Sequence, residues 1–252
     1  MTKDFYDKHK NFSFRTLIDY YISPGIKCKF DLLKANIDTK KKFNYGIDLG
    51  SSGNSFLFFL DNISQKFSLD IAEFPLGQYI KKSNWHPLCG DLMKLPYRDG
   101  SFDFLSAIDV LEHIRNDESA VSEISRILKK NGIIVITVPH RMKYFTQQDI
   151  LIGHHRRYEI NKITSLFERY NLKMIRTFGV YGQLMRIADI QSTNPKKIEQ
   201  NIINLRTRYM FNGGFRKIWD FFMKISSTIM KIDAKYHSLK NIMNIGLIFR
   251  KI

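Results

Sequence analysis

Ten residues constrain this chain more than any others. They are Tyr45-Gly46-Ile47-Asp48-Leu49-Gly50-Ser51-Ser52-Gly53-Asn54, an apolar strand that enters a turn of small residues and is followed by a second apolar run, Ser55 to Leu60. A strand, a small-residue turn and a helix start are the means by which α/β folds aim backbone N–H groups at an anionic ligand. Asp48, two residues before Gly50, narrows the choice of ligand. A carboxylate there repels phosphates and suits a ligand with an ammonium group. A dinucleotide turn would instead show Gly-x-Gly-x-x-Gly around a pyrophosphate, which makes a dehydrogenase a distant alternative.

The stretch resembles motif I of the class I S-adenosylmethionine-dependent methyltransferases, Asp-x-Gly-x-Gly-x-Gly, with Ser52 and Asn54 standing for its second and third glycines. Both residues can follow a tight turn, Asn tolerating positive φ better than most. The resemblance implies that Asp48 and the backbone of Gly50, Ser51, Ser52 and Gly53 hold the methionine end of that cofactor.

Further signals follow in order. A second strand, Lys66 to Asp70, ends in an acidic residue where nucleotide-binding α/β folds hold ribose hydroxyls, so Asp70 and the adjacent Ile71 are candidate cofactor contacts. That feature is shared with dinucleotide enzymes, and a helix N-cap is its simpler explanation. A third strand, Trp85 to Leu88, leads into Gly90-Asp91-Leu92-Met93-Lys94-Leu95-Pro96 and then Ser101-Phe102-Asp103-Phe104. This is similar to the small-molecule methyltransferases of quinone biosynthesis, and the resemblance implies that Asp91 and Leu92 receive the adenine. The fourth strand runs into Asp109-Val110-Leu111-Glu112-His113-Ile114, again like that family, and Asp109 joins the candidate cofactor residues. A helix over Glu118 to Leu128 closes at Lys129-Lys130-Asn131-Gly132, with the glycine at its C′ position, and Ile133 to Val138 forms an apolar parallel strand. The Asn-Pro-Pro-Tyr or Asp-Pro-Pro-Tyr motif of amino and nucleobase methyltransferases does not occur in the sequence, which disfavours nucleobase methylation.

The expected architecture is α/β: a Rossmann-like sheet of seven mostly parallel strands with helices on both faces, an antiparallel last strand and a helical insertion before it. The domain boundaries read as an N-terminal helical cap over 1–42, a cofactor-binding core over 43–179, a basic helical insertion over 180–243 and a last strand over 244–252. In the cap, aromatic and basic residues alternate (Phe5, Tyr6, Phe12, Phe14, Tyr20, Tyr21, Phe30) and Pro24-Gly25 marks a break. These aromatics either cover the pocket or pack on the outside of the sheet.

On the acceptor side, Gly153-His154-His155-Arg156-Arg157-Tyr158 is similar to a segment of methyltransferases acting on saccharides, lipids and secondary metabolites. His140 and His154 are candidate general bases, since imidazole takes a proton near neutral pH. Arg156 and Arg157 could grip an acceptor phosphate or carboxylate, with Tyr158 beside them, or pair with Glu159 and Asp149. No metal-ligand cluster is evident along the sequence, and Cys28 and Cys89 read as reduced structural thiols.

The net charge of +16 is uneven: residues 1–42 carry +5, 43–179 carry +2 and 180–252 carry +9. Such flanks favour polyanions, whether nucleic acid, an anionic membrane surface or a phosphorylated substrate. Within the insertion, Ile218, Phe222, Ile225, Ile229 and Ile232 share one helical face, and Lys217, Lys224 and Lys231 recur on another. That helix is either a lid on its own domain or a docking element for a membrane surface or a partner helix. No run is apolar and long enough for a membrane span, and the N-terminus lacks the apolar stretch of a signal peptide, so the chain reads as cytoplasmic. The reading as a whole is S-adenosylmethionine-dependent methyl transfer to a hydroxyl-bearing small molecule. The alternatives are an RNA-directed methyltransferase and a non-catalytic module that keeps the fold.

Overall fold

The computed structural model describes residues 15–80, 82–185 and 195–252. Phe5, Tyr6, Phe12 and Phe14 of the expected cap lie outside them. Seven strands form one sheet: β1 (Phe43–Leu49), β2 (Ile63–Asp70), β3 (Trp85–Cys89), β4 (Phe102–Ile108), β5 (Leu128–Pro139), β6 (Leu172–Tyr181) and β7 (Asn244–Lys251). Their order is β3-β2-β1-β4-β5-β7-β6, with β7 antiparallel to both of its neighbours. This is the Rossmann-like arrangement read from the sequence. The strand order reverses between β1 and β4, and their carboxyl ends open the crevice in which such folds bind ligands.

Helices cover both faces. α1 (Ile18–Ile22) and α2 (Pro24–Ala35) precede the sheet, α3 (Asp117–Ile127), α4 (Gln147–Leu151) and α5 (Ile160–Glu168) fall between β4 and β6, and α6 (Pro195–Phe211) and α7 (Gly213–Tyr236) lie between β6 and β7. Phe30 and Leu33 of α2 pack with Phe43, Phe104 and Val135 on one face. Val121 and Ile124 of α3 and Ile163 and Phe167 of α5 pack with Leu105, Ile134 and Phe249 on the other. Burial on both faces explains why β5 is apolar at every position from Ile133 to Val138 except Thr137. At Pro24-Gly25 the helix does not break. It begins there, with Ser23 as its N-cap accepting from the Ile26 N–H and proline in the first turn.

Two local expectations change. The run after the small-residue turn forms only a short 3-10 helix, Phe56–Phe59, because β2 already starts at Ile63 and leaves no room for a longer one. A full helix dipole therefore does not face the ligand side of the turn. After α3, the left-handed position is taken by Asn131 (φ 64°) and not by Gly132, and β5 begins at Leu128, paired with Phe102.

The insertion docks on the cap. Arg206 of α6 is buried against Asp19 of α1, donating from Nε at 2.9 Å and Nη2 at 2.7 Å. Lys231 of α7 pairs with Asp31 of α2 at 3.0 Å, and the Trp219 indole donates to the Ile22 carbonyl.

Candidate active site

The turn after β1 is held in an unusual backbone state. Gly50 has φ 70° and Ser52 φ 44°, whereas Asn54, the expected tolerant residue, does not have positive φ. A serine in the left-handed region costs about 1 kcal/mol or more, so its surroundings must fix it. They do: the Ser52 N–H donates to Asp70 Oδ2 (2.8 Å), its carbonyl accepts from the Tyr79 hydroxyl (2.8 Å), and its own hydroxyl accepts from the Arg15 N–H (3.1 Å). Gly50 is required for space as well as φ, because a Cβ there would lie 2.6 Å from Val110 Cγ2.

Around this turn the strand ends line one cavity of about 1160 Å³. Asp48 is buried at its floor, accepting from the Ser106 hydroxyl and the Phe56 N–H (3.1 Å), and burial raises its pKa to about 6 against those hydrogen bonds. Asp70 bridges the Ser52 and Ala72 N–H groups, and burial raises its pKa too. Ile71, Asp91 and Leu92 line the wall beyond it, Asp91 accepting from the Met93 N–H at 2.8 Å. Gly50, Ser51 and Ser52 line the cavity as well. Gly53 is not among the lining residues. Its hydrogen leaves room for the Arg15 carbonyl, which a Cβ would approach to 2.1 Å, so this glycine serves cap closure and not ligand contact. Asp109, with φ 53°, lines the cavity but is fully engaged: it pairs with Lys29 of α2 and accepts from Thr137 (2.7 Å) and Asn244 (2.8 Å). It ties β4, β5, β7 and the cap together.

Residues 47–136, the segment containing these strand ends, match the methyltransferase domain family, Methyltransf_11. Over these residues the chain is similar to the S-adenosylmethionine-dependent methyltransferase domains. An uncharacterized Methanocaldococcus jannaschii protein is 31% identical over 145 residues, 55% of this chain and 61% of its own. A Streptomyces avermitilis demethylmenaquinone methyltransferase is 37% identical over 69 residues, 26% of this chain and 30% of its own, a limited likeness to the quinone type. The chain thus spans less than two thirds of the length of these curated relatives. Among solved structures, a Haemonchus contortus phosphoethanolamine N-methyltransferase in complex with S-adenosyl-L-methionine superposes with a TM-score of 0.61 at 16% identity, covering 99% of this chain and 59% of its own.

The cofactor of such a domain is S-adenosylmethionine, and the residues present fit it. The cavity exceeds the range of about 300–1,000 Å³ usual for a single small-molecule site, leaving room for an acceptor beside the cofactor. The small residues of its turn, Gly50, Ser51 and Ser52, and three carboxyl groups, Asp48, Asp70 and Asp91, all line it.

The side of the cavity lined by residues after β5 differs from the sequence reading. His154 lines the cavity, and its Nδ1 lies 2.7 Å from Asp149 Oδ1. Asp149 is buried and also accepts from Arg157 Nη2 (2.8 Å) and the Thr146 N–H (2.8 Å); against the opposing effect of burial, the hydrogen bonds from His154 and Arg157 lower its pKa to about 2. His140 is not in the cavity wall. It is 3% exposed, with Nδ1 3.0 Å from the Ile242 carbonyl, so it is a structural histidine and is withdrawn as a base. The acceptor grip expected of the arginines and the tyrosine is also corrected. Arg156 pairs with Asp117 (2.7 Å) and the Arg115 carbonyl, Arg157 clamps Asp149, and the Tyr158 hydroxyl reaches Leu111 O and Asp117. The nearby carboxylates claimed all three.

Sequence reasoning missed Glu112. It lines the cavity, is fully buried, and has no hydrogen-bond partner on either carboxyl oxygen among the described residues; His154 Nε2 lies 3.8 Å from its Oε1. Burial pushes its pKa up to about 8. The adjacent His113, partly buried and lowered by desolvation to about 3, has Nδ1 3.3 Å from the Gly153 carbonyl. Glu112, His113 and His154 bring potential ligand atoms within 4.8 Å of one another, so the expectation of no metal-ligand cluster is corrected at the level of geometry. Arg15 and Lys29, reaching in from the cap side, were also missed. Only the acidic and basic character of these residues was visible along the chain.

Proposed function

We propose that this protein transfers a methyl group from S-adenosylmethionine to a hydroxyl of a small molecule, such as a lipid, a sugar or a secondary metabolite. What supports the reading is one observation: the cavity lined by Asp48, Asp70 and Asp91 is also lined by a histidine oriented by a buried, ionised carboxylate. Asp48 and the Gly50–Ser52 backbone would hold the methionine end, Asp70 with Ile71 the ribose, and Asp91 with Leu92 the adenine. The bound cofactor supplies an electrophilic methyl on a sulfonium.

The chain's own part is then to position the acceptor and take its proton. His154 accepts that proton on Nε2 as the acceptor oxygen becomes an ether. Its Nδ1–H donates to Asp149, which fixes the tautomer and stabilises the imidazolium. Arg157 keeps Asp149 ionised. Ile26 and Lys29 of α2 and Ile202 of α6 add apolar and basic lining to the same cavity.

Glu112 favours a second reading, in which the acceptor is a cationic amine. Its buried carboxyl has no hydrogen-bond partner among the described residues, and an ammonium placed beside it would pair with its ionised form.

Calorimetric titration with S-adenosylmethionine and its demethylated product, on wild type and Asp70→Ala, tests the cofactor half. Two charge-assisted hydrogen bonds to a ribose amount to roughly 3 kcal/mol, so the variant should bind about a hundredfold more weakly. A well-folded wild type that binds neither compound ends the enzyme reading in favour of a non-catalytic module. A labelled-methyl screen of hydroxyl, amine and RNA acceptors then distinguishes the substrate classes.

A further inference from the structure

The insertion helix α7 has two faces. Met223, Ser227 and Ala234 are buried against the body of the protein, and Trp219 reaches α1. The remaining apolar residues point the other way. Ile218, Phe221, Phe222, Ile225, Ile229 and Ile232 are all exposed, from 46% at Ile225 to 72% at Ile218. At 100° per residue they fall within an arc of about 100°, and at 1.5 Å per residue they form a stripe about 21 Å long. Phe211, the last residue of α6, is also exposed, at 82%. Isolated exposed apolar side chains are ordinary, but a continuous stripe of this size marks an interaction surface.

The charge beside the stripe identifies what it meets. Lys217, Lys224 and Lys235 are exposed along one flank, at positions that the helical period places next to the apolar arc. Residues 180–243 carry a net charge of +7. The acids nearby do not cancel this flank: Asp220 accepts from the Tyr209 hydroxyl, and Asp233 pairs with His237. Two copies of the chain joined through this face would bring like-charged lysine rows together, which opposes self-association. Among the described residues no helix is long and apolar enough to cross a membrane.

We infer that α7 docks in the plane of an anionic bilayer surface, its isoleucines and phenylalanines entering the acyl boundary and its lysines meeting the lipid headgroups. The buried face of the helix stays on the protein, so docking requires no unfolding of the cap or the insertion.

The test is co-sedimentation and flotation of the full chain with vesicles of phosphatidylcholine alone and of phosphatidylcholine mixed with phosphatidylglycerol. Binding to the mixed vesicles should exceed binding to the neutral ones by about tenfold or more and weaken with salt. Phe221→Asp/Ile225→Asp should lose about a hundredfold in vesicle affinity, and Lys217→Glu/Lys224→Glu about tenfold or more. Both sets of substitutions lie on the solvent face, so circular dichroism and thermal midpoint should match wild type. Absence of binding by folded wild type to the anionic vesicles overturns the inference. So does a dimer in light scattering that Phe221→Asp dissolves while vesicle binding is nil, since the stripe then meets a second copy.

Discussion

Glu112 makes the stability of this protein depend on pH in a direction that the cavity dictates. Its carboxyl is fully buried, neither oxygen finds a hydrogen-bond partner among the other described residues, and burial raises its pKa from 4.5 to about 8. Its own backbone N–H, Lys29 and Arg157 favour ionisation and Asp149 opposes it, and desolvation outweighs all of them. A carboxyl raised in the folded state stabilises below its unfolded pKa, and that contribution is lost as pH rises through the folded value. Between pH 5 and 7 the unfolded chain gives up the proton and the folded chain keeps it. With about 1.4 kcal/mol per pH unit, wild type should lose roughly 2–3 kcal/mol over that interval from this group. Glu112→Gln preserves the volume and removes the titration. Whatever constant cost the amide carries in its buried position, the variant's stability relative to wild type should improve by roughly 2–3 kcal/mol between pH 5 and 7. Urea denaturation followed by circular dichroism at several pH values measures this difference. Parallel curves for the two proteins would show that Glu112 is ionised and paired in the folded state, and the account of the acceptor cavity would fail.

Three further substitutions probe separate parts of the fold. Gly50→Ala adds left-handed strain and a Cβ 2.6 Å from Val110 Cγ2, and should destabilise by about 2–4 kcal/mol; Gly50→Ala/Val110→Ala should recover part of this, the contact but not the strain. Denaturation midpoints for the two variants read this directly, and equal midpoints would remove the contact from the explanation. Arg206→Ala leaves Asp19 buried without its guanidinium, at a cost of about 3–5 kcal/mol to docking of the insertion. Limited proteolysis should then cut the 180–243 region faster than in wild type, and unchanged protection would mean that other contacts hold it. His154→Ala should lower methyl transfer by about 10²–10⁴-fold to an acceptor hydroxyl while leaving cofactor affinity within a few-fold; an unchanged rate would make His154 a wall residue.

The sequence was most legible where one strand end carries one ligand group. From Tyr45 to Pro139, strand, turn and helix signals recur in order, and each places its aspartate by a rule local to a few residues. The seven strands and the antiparallel last one were accessible for that reason. The length of the helix after the turn was less so, because it depends on where β2 begins, and the extra residues of β2 from Ile63 could not be separated from loop by pattern alone.

The acceptor half followed a different logic. Glu112 and His154 are 42 positions apart, and only the close approach of the segment after β4 to the segment after α4 makes them neighbours. No spacing rule within either segment contains that information. The Arg156-Arg157-Tyr158 run failed for the opposite reason: its composition suggested an anionic ligand, but Asp149 and Asp117 lie within reach and pair with it first. A basic cluster therefore identifies a binding site only when nearby carboxylates are too few to satisfy it, and here they suffice. Glu112 is the complementary case, a buried carboxyl with no hydrogen-bond partner among the described residues. Arg157 holds the Asp149 carboxylate that pairs with His154, whereas the Glu112 carboxyl lines the cavity without such a partner among the described residues.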